Sequence, residues 1–324
     1  MLSILQDDAT STFVGLIGAS VLKYGFTTWL ASGKPRVYEK VGKVSSLHLY
    51  PVKSCRGLDI ETAKCTAIGL RQFGVTDRHW ILSSKDNNWI NANMEPKLTL
   101  VTVKLHEDMV EMTAPGMEPL LVPLNPKLDK TWVCHIGNGP MAIDTLDCGD
   151  EAADWFTKHT GRKGVRLNYS HPDLSKRESI NFKYPWEHYA LPGDRMAFAN
   201  YCAYMMMTKE SLNALNAELE TPANVNNFRP SIMMEGSSAF EEDNWDAVKI
   251  GTTSFRMIDM CSRCNQVNVV QEEGKHSKDK EPFSTLRRIR SFPEYGVKPC
   301  IGIYLAPDVE GTISVGDDVY AIRK

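Results

Sequence analysis

Short runs in which apolar and polar residues alternate fill much of the chain from Val44 onward, and turn residues separate them. Successive side chains of a β-strand point to opposite faces of a sheet, so this period of two predicts strands. Many short strands joined by turns favour a β-barrel or a β-sandwich. The predicted strands include residues 46–50, 79–82, 98–103, 109–112 and 230–234.

Two segments have helical spacing instead. Residues 150–159 carry an apolar face, and the Asp147-Cys148-Gly149 motif before them is typical of a turn that starts a helix. A second helix is predicted over residues 209–220, with Thr208 as its N-cap and Pro222 just beyond its end. The expected fold class is therefore α+β, and mainly β.

The length and charge of the chain exclude several classes. A chain of 324 residues is long enough for two modest domains, and we place their boundary near Arg166. The polar stretch 271–282 predicts a loop. A formal net charge of −3 argues against a general nucleic-acid-binding protein, which would be strongly basic. No glycine-rich phosphate loop follows a predicted strand, so a Rossmann or P-loop nucleotide domain is not indicated.

Residues 12–31 are mostly apolar or small. Roughly 20 such residues can span a bilayer as a helix, and Lys23 can direct its ammonium group to the surface if the helix tilts. The segment begins after Asp7 and Asp8 and lacks a clean cleavage pattern, so it does not resemble a signal peptide. We predict a membrane anchor, followed by a basic linker that ends at Lys43. A helix lying on the membrane surface is the alternative.

Cys261-Ser262-Arg263-Cys264 combines two thiols with a fixed positive charge. An adjacent arginine stabilises a thiolate, and thiolates bind soft metals. A closed zinc site needs four ligands, but the other six of the eight cysteines are scattered singly. A thioredoxin-like dithiol begins a helix, whereas a β-rich run, residues 265–270, follows this motif. A disulfide framework is not expected in a long chain with few cysteines. Two interpretations stay open, namely two inert buried thiols or a functional site.

Other motifs accompany the cysteine pair: Tyr50-Pro51-Val52-Lys53-Ser54-Cys55, Thr76-Asp77-Arg78-His79-Trp80, Asp147-Cys148-Gly149, Asn227-Phe228-Arg229-Pro230 and Gly311-Thr312-Ile313-Ser314-Val315-Gly316-Asp317. In this order they resemble the MOSC family of molybdenum-cofactor proteins and, within it, the membrane-anchored mitochondrial amidoxime-reducing components. The resemblance implies an anchor and linker over residues 1–43 and an N-terminal MOSC-associated β-barrel-like domain over 44–166. A C-terminal MOSC β-barrel would occupy residues 167–324, with the cofactor in the cleft between the two domains.

The resemblance also implies roles for particular residues. The family's cofactor is molybdenum held by the dithiolene of a pterin that bears a phosphate. Cys264 matches the metal ligand and catalytic thiol, whereas Cys261 is expected to be structural. The implied cofactor-binding residues are Lys53, Ser54, Arg78, Asn200, Arg229, Ser262, Arg263 and Tyr304. Asn200 stands where relatives often carry Asp, and Ser231 stands where Asn is expected.

Each of these residues has a simpler interpretation when the resemblance is set aside. Lys53 and Arg78 would be surface charges, Arg229 would cap a strand end, and Tyr304 would be a core aromatic residue. Three histidines, His48, His79 and His135, fall on separate predicted strands, and we expect none of them to be a metal ligand.

The implied function is reduction of N-hydroxylated compounds, such as amidoximes and N-hydroxylated bases, to the parent N–H compounds. Water would be released as the metal passes from Mo(IV) to Mo(VI). Because the chain has no flavin or haem motif, its electrons must come from outside. The resemblance implies NADH, a flavin-containing cytochrome b5 reductase and cytochrome b5. The alternatives are a cofactor carrier without turnover and a sulfur-transfer module, although the chain has no room for the pyridoxal-phosphate domain of molybdenum-cofactor sulfurases.

Charges near the predicted anchor suggest how the protein is oriented. Acidic residues precede the anchor and basic residues follow it, so the positive-inside rule leaves the catalytic part in the cytosol. The predicted location is the mitochondrial outer membrane, with the peroxisomal membrane as an alternative. A later basic segment is interpreted either as a solvated face or as a docking surface for an acidic haem protein. It contains Lys275, Lys278, Lys280, Arg287, Arg288 and Arg290.

Overall fold

Strands dominate the molecule, for which a computed structural model describes residues 37–137, 141–183 and 189–324. The first thirteen strands are β1 (Glu39–Leu49), β2 (Leu58–Ile60), β3 (Thr62–Thr66), β4 (Gly69–Gln72), β5 (Val75–Thr76), β6 (Trp80–Ser83), β7 (Trp89–Ile90), β8 (Thr102–Leu105), β9 (Met109–Thr113), β10 (Leu120–Pro123), β11 (Thr131–His135), β12 (Ala142–Asp147) and β13 (Arg166–Tyr169). The later strands are β14 (Arg177–Glu178), β15 (Arg195–Met196), β16 (Tyr204–Thr208), β17 (Ile232–Glu235), β18 (Trp245–Ile250), β19 (Thr253–Ser262), β20 (Val269–Val270), β21 (Lys275–His276), β22 (Cys300–Val309), β23 (Gly311–Ser314) and β24 (Asp318–Arg323).

Within the described residues the helices are short and lie between the strands. The α-helices are α1 (Asp150–Thr160), α2 (Lys209–Asn216), α3 (Val225–Phe228) and α4 (Phe283–Ile289). The 3-10 turns cover Pro96–Leu100, Ser179–Asn181, Glu241–Asn244, Asn265–Asn268 and Pro293–Tyr295.

Seven strands close into a barrel. They are hydrogen-bonded in the order β17, β16, β22, β19, β18, β24 and β1, and pairing of β1 with β17 completes the circle. Closure removes the free sheet edges that would otherwise invite association with other chains. The prediction of a mainly β fold with a C-terminal barrel is confirmed. One barrel strand, β1, nevertheless comes from the start of the chain.

Smaller sheets surround the barrel. A five-stranded sheet has the order β11, β12, β13, β6 and β7, and a three-stranded sheet has the order β10, β9 and β8. In a four-stranded sheet, β23 from the end of the chain pairs with β3, which continues to β4 and β5. Strands from the two halves of the sequence thus pair with each other, and a single core cluster contains fully buried residues of both halves, such as Trp80 and Phe255. The domain boundary near Arg166 stays a prediction.

The helix predictions are confirmed apart from one end. Gly149 is the N-cap of α1, and the side chain of Thr208 accepts a hydrogen bond from the Ser211 N–H (3.0 Å) at the start of α2. Helix α2 ends at Asn216, earlier than predicted. The Asn216 side-chain amide bonds both the N–H and the C=O of Ala223, each at 2.9 Å, and these bonds stabilise a turn instead of a further helical turn.

Two predicted strand runs are partly wrong. Within 98–103, the residues up to Leu100 form a 3-10 turn that begins at Pro96, and the strand begins only at Thr102. Within 265–270, the Asn265–Asn268 segment is also a 3-10 turn, and only β20 is extended. In both places hydrogen bonds to other segments replace the strand pairing that the local pattern predicts. The Thr99 hydroxyl donates to Gln271 O (2.9 Å), and Phe283 N–H donates to the Asn268 side chain (2.9 Å). The loop predicted over 271–282 is confirmed, except that it contains β21.

The predictions for the N-terminal anchor and for the basic linker have different outcomes. The predicted anchor, residues 12–31, lies outside the described residues. Among the residues that are described, no helix has the length and apolar character needed to cross a membrane. The end of the predicted basic linker is already strand, because β1 begins at Glu39. There Lys40 pairs with Asp318 (2.7 Å) and Lys43 with Glu235 (3.2 Å).

Candidate functional site

One cavity collects all nine residues that the sequence singled out as a site. The space inside it, counted together with its open mouth, is about 690 Å³. The nine residues are Lys53, Ser54, Arg78, Asn200, Arg229, Ser262, Arg263, Cys264 and Tyr304. Most of them lie on loops that leave strands of the shared core, so the ends of those strands fix their positions. Tyr304 lies on β22 itself, where its ring packs edge-on against Tyr201.

Lys53 lies in the loop after β1 and is only 5% exposed. Its ammonium donates hydrogen bonds to Phe198 O (2.7 Å) and to Asn200 Oδ1 (2.5 Å), and it lies 5.0 Å from the centre of the Trp89 ring. Burial, followed by the charges of nearby arginines, lowers the pKa of Lys53 well below its usual range. The interpretation of Lys53 as a surface charge is wrong. A bound anion would favour its protonated form.

Arg78 lies in the turn between β5 and β6. Its guanidinium forms an ion pair with the buried carboxylate of Asp77 and donates a hydrogen bond to Arg229 O (2.9 Å). Asp77 also accepts a hydrogen bond from Tyr50 N–H (2.7 Å). Burial raises the pKa of Asp77, while Arg78 acts in the opposite direction. Asp77 and Arg78 together therefore link their own turn to the segments that carry Tyr50 and Arg229.

Arg229 follows α3 and is 6% exposed. Its Nη2 is buried and has no hydrogen-bond partner among the described residues. Burial lowers the pKa of Arg229 to about 10, because the charged form loses its hydration. A buried polar group without a partner is costly, and a bound ion is one of the features that account for such a group in a native protein.

Three cavity residues share an unusual backbone conformation. Ser54, Arg78 and Arg229 have φ values of 73°, 50° and 58°, in the left-handed region. They make up three of the seven non-glycine residues with positive φ in the described part of the chain. Such residues cost on the order of 1–3 kcal/mol each and concentrate at functional sites. The fold thus keeps strained backbone where the motif residues enter the cavity.

The two cysteines of the central motif have different surroundings. Cys261 is 1% exposed on β19, and its sulfur accepts a hydrogen bond from Arg263 Nη1 (2.7 Å). Arg263 also donates to Phe228 O (2.6 Å) and lies over the Phe228 ring. Cys264 is exposed and lines the cavity. One thiol thus holds Arg263 in place, whereas the other is available to a ligand.

The charges of the cavity have one sign. Lys53, Arg78, Arg229 and Arg263 line it, and no Asp or Glu is found among the described residues that do so. The carboxylate of Asp77, behind this surface, is already bound to Arg78. The cavity can therefore bind an anion and present a thiol to it at the same time.

Family models match both halves of the chain. Residues 41–163 match the MOSC N-terminal beta barrel domain, and residues 193–320 match the MOSC domain. Mitochondrial amidoxime reducing component 2 of Bos taurus is 35% identical over 89% of this chain and 85% of its own length. Mitochondrial amidoxime-reducing component 1 of Mus musculus is 31% identical over 96% and 93%. Component 2 of Homo sapiens is 32% identical over 95% and 92%. The chain belongs to the mitochondrial amidoxime-reducing component family of MOSC proteins.

The site of this MOSC protein includes residues that were not predicted individually. Asn227 and Phe228 also line the cavity. Asn227 Nδ2 donates to Val267 O (2.9 Å) and Val269 O (3.2 Å), and these bonds hold the turn that begins after Cys264. The Asn-Phe-Arg-Pro motif was the available signal, because all of its first three residues act here.

Several motif residues lie elsewhere. Ser231 is fully buried, does not line the cavity, and donates its backbone N–H to Met205 O (2.9 Å). The Asp147-Cys148-Gly149 motif starts α1, and Asp147 pairs with Arg166. The motif that begins at Gly311 forms β23 and the turn after it. These segments stabilise the MOSC fold away from the cavity.

Proposed function

We propose that this chain is a molybdenum-cofactor reductase that converts N-hydroxylated compounds, such as amidoximes and N-hydroxylated bases, to the parent N–H compounds. The observation that carries the proposal is one accessible thiol, Cys264, in a cavity lined by four cations. The family relatives named amidoxime-reducing components support the reaction class.

The residues of the cavity fit a molybdenum-molybdopterin group. Cys264 would bind the metal, because a thiolate is a soft ligand. Lys53, Arg78, Arg229 and Arg263 would hold the anionic parts of the group, and the buried Arg229 Nη2 would gain the partner that it lacks. Ser54, Asn200, Ser262 and Tyr304 would supply the remaining polar and aromatic contacts.

The chain's own residues prepare the site for this chemistry. When bound, the molybdenum group supplies the two-electron redox chemistry that removes the substrate oxygen. Arg263 is fixed between Cys261 and Phe228, so it would position the group beside Cys264. The buried Lys53 would retain its proton when an anion lies nearby, and it would then neutralise part of the anion's charge.

We further propose that electrons arrive from NADH through cytochrome b5 reductase and cytochrome b5, and that the protein resides in the mitochondrial outer membrane. The names of the relatives support a mitochondrial location. Acidic residues before the predicted anchor and basic residues after it support a cytosolic catalytic part. Protease added to intact mitochondria should remove that part, and complete protection would contradict the orientation. Recovery with peroxisomes would favour the alternative membrane.

The test of function combines metal analysis with turnover. Purified full-length protein should contain about one molybdenum per chain, and it should reduce benzamidoxime to benzamidine with a small artificial reductant, as the proposed site implies. Molybdenum without turnover, together with transfer of the cofactor to an apo-enzyme, would favour the carrier alternative. Absence of molybdenum from protein made in cells that supply the cofactor would overturn the proposal.

The two cysteines provide matched variants. Cys264→Ala should abolish amidoxime reduction while the fold and part of the pterin binding persist, because the four cations remain. Cys261→Ser should retain most activity, since its hydroxyl can still accept the hydrogen bond from Arg263. Cys261→Ala should retain less, because Arg263 loses a partner. An active Cys264→Ala variant beside an inactive Cys261→Ser variant would show that the wrong sulfur is assigned.

A further inference from the structure

Tyr50 lies behind the cavity, and the guanidinium groups of two arginines pack against its ring. The side chain is fully buried. The central guanidinium carbons of Arg78 and Arg229 lie 4.7 and 4.2 Å from the centre of the ring. Both arginines line the cavity, whereas Tyr50 does not. Tyr50 therefore contacts both cations without lining the ligand space itself.

Two neighbouring buried cations need something to offset their repulsion. Asp77 supplies a carboxylate to Arg78, but no carboxylate pairs with Arg229 in the described residues. The negative face of an aromatic ring attracts a cation, and the attraction is stronger when the pair is desolvated. The Tyr50 ring is thus the group that stabilises both guanidiniums together.

The surroundings of Tyr50 fix its ring. The Tyr50 backbone N–H donates to Asp77 (2.7 Å), and its C=O accepts from Arg78 N–H (2.7 Å). Gly57 leaves room for the ring, because a Cβ atom at that position would lie 2.4 Å from a ring carbon. A ring with its backbone bonded at both ends and Gly57 close against it is suited to position what packs against it.

The hydroxyl of Tyr50 takes no part in these contacts. It is buried without a hydrogen-bond partner among the described residues. Burial raises the pKa of Tyr50 to about 12, so the hydroxyl stays neutral at physiological pH and supplies no anionic charge. The face of the ring is then the part of the residue that acts on Arg78 and Arg229.

We propose that Tyr50 is a positioning residue: its ring holds the guanidinium groups of both Arg78 and Arg229, so that both engage the same anionic group. The inference rests on the proposed function for the identity of that group as the molybdenum cofactor. The contacts themselves predict that any compact oxyanion bound by the two arginines depends on the ring.

The first test compares two substitutions at Tyr50. Tyr50→Leu should lose molybdenum on dialysis about tenfold faster than the unchanged protein, as expected from loss of the cation–π contribution. Tyr50→Phe should retain molybdenum normally, because only the unpartnered hydroxyl is removed. Phe255→Leu is the matched control, since Phe255 is a fully buried core aromatic and is not among the described cavity-lining residues. It should lower the melting temperature without changing retention in the folded protein. Normal retention by Tyr50→Leu would overturn the proposal.

The second test keeps the shape at position 50 and changes only the electrostatics of the ring. Phenylalanine with zero, one, two or three fluorines can be incorporated there, and each fluorine weakens the negative face of the ring. Molybdenum retention should fall stepwise along the series, and equal retention throughout would contradict a cation–π role. Inorganic pyrophosphate, titrated into the cofactor-free full chain, should show the same stepwise weakening. If the unchanged protein binds pyrophosphate in this way but never acquires molybdenum, the proposed function fails while the role of Tyr50 stands.

Discussion

Two groups of cations in this molecule differ in burial. The cavity cations are partly or fully buried; they are Lys53, Arg78, Arg229 and Arg263. Lys53, Arg78 and Arg263 donate hydrogen bonds to backbone oxygens. The surface cations are exposed and line an open depression that also includes Asn265. They are Lys278, Lys280, Arg287 and Arg288. Only the second group is contiguous enough in sequence to be noticed as a cluster. The first comes from four separate motifs.

The difference in burial indicates a difference in use. A buried cation loses its hydration, and keeping it charged costs free energy. A fixed anion that replaces the water offsets this cost. Arg229, whose pKa falls to about 10, is such a case. Exposed cations keep their hydration and are screened by salt, so they suit transient encounters. We therefore propose that the cavity cations bind a resident cofactor and that the surface cations form the docking surface for the electron donor.

The largest expected effect separates the two groups directly. Arg229→Leu should reduce molybdenum content at least about tenfold, because a buried charge-assisted contact of roughly 1.5–3 kcal/mol is lost. Arg287→Leu removes the same charge from the surface and should leave molybdenum content unchanged. The cofactor-free Arg229→Leu protein should be at least as stable as the unchanged chain, since it no longer buries an unpaired guanidinium nitrogen. Metal analysis and thermal unfolding measure both effects. Equal molybdenum loss in the two variants would remove the distinction.

A second contrast lies within the surface segment itself. Arg290 was grouped with the surface cations in the sequence prediction, and that grouping is wrong. It is 8% exposed, pairs with Asp243, and donates Nε–H to Cys300 O (3.0 Å). Helix α4 ends at Ile289, so the chain turns inward at Arg290. Its neighbour Arg288 stays exposed and pairs with Glu218 (2.9 Å).

Arg290→Ala should lower the free energy of unfolding by about 3 kcal/mol, because it leaves the Asp243 carboxylate without its partner in a largely buried site. Arg288→Ala should lower it by roughly 0–1 kcal/mol, since the exposed pair with Glu218 is screened by water. Denaturant unfolding of both variants measures the difference. Similar losses in the two variants would show that burial does not distinguish these arginines.

The comparison also shows how far the sequence could predict this molecule. A period of two in the hydrophobic pattern was sufficient for a mainly β fold, whereas the nine residues that line one cavity were implied by the resemblance to MOSC proteins. The part that β1 plays in closing the barrel could not be predicted, because β1 pairs with β17 across a long stretch of sequence. The 3-10 turns at Pro96 and Asn265 were missed because contacts to distant segments override the local pattern.

The site shows the same limit. Local pattern gave no reason to bury Lys53, whose ammonium is enclosed by Phe198, Asn200 and Trp89 from distant parts of the chain. Likewise, Tyr50 and Arg229 are far apart in sequence, and only the fold brings the guanidinium onto the ring. The residues that line the cavity could be inferred from the sequence. Their burial and the residues they contact could not.

The docking role of the surface cations predicts an intermediate effect. Reversing both Arg287 and Arg288 to Glu should slow electron delivery from cytochrome b5 by about tenfold or more at low salt, because complementary charge raises encounter rates. The effect should shrink at high salt, and turnover with an artificial reductant should stay unchanged. Lys64→Glu with Lys249→Glu is the matched control, since both lysines are exposed and neither lines the depression. Equal loss with both reductants would contradict docking.

The smallest expected effect concerns a carboxylate that competes with the donor. Glu218 pairs with Arg288, and the two side chains are 46% and 58% exposed. Glu218→Gln should free Arg288 for an acidic donor and raise the rate with cytochrome b5 by less than about twofold at low salt, because exposed pairs contribute only about 0.2–1 kcal/mol. The gain should vanish in 0.5 M salt, where the Debye screening length lies between about 3 and 10 Å. In the Arg288→Ala background, Glu218→Gln should retain only the part of the gain that comes from removing a negative charge near the surface. A full gain in that background would show that Glu218 acts through its own charge and that Arg288 takes no part in docking.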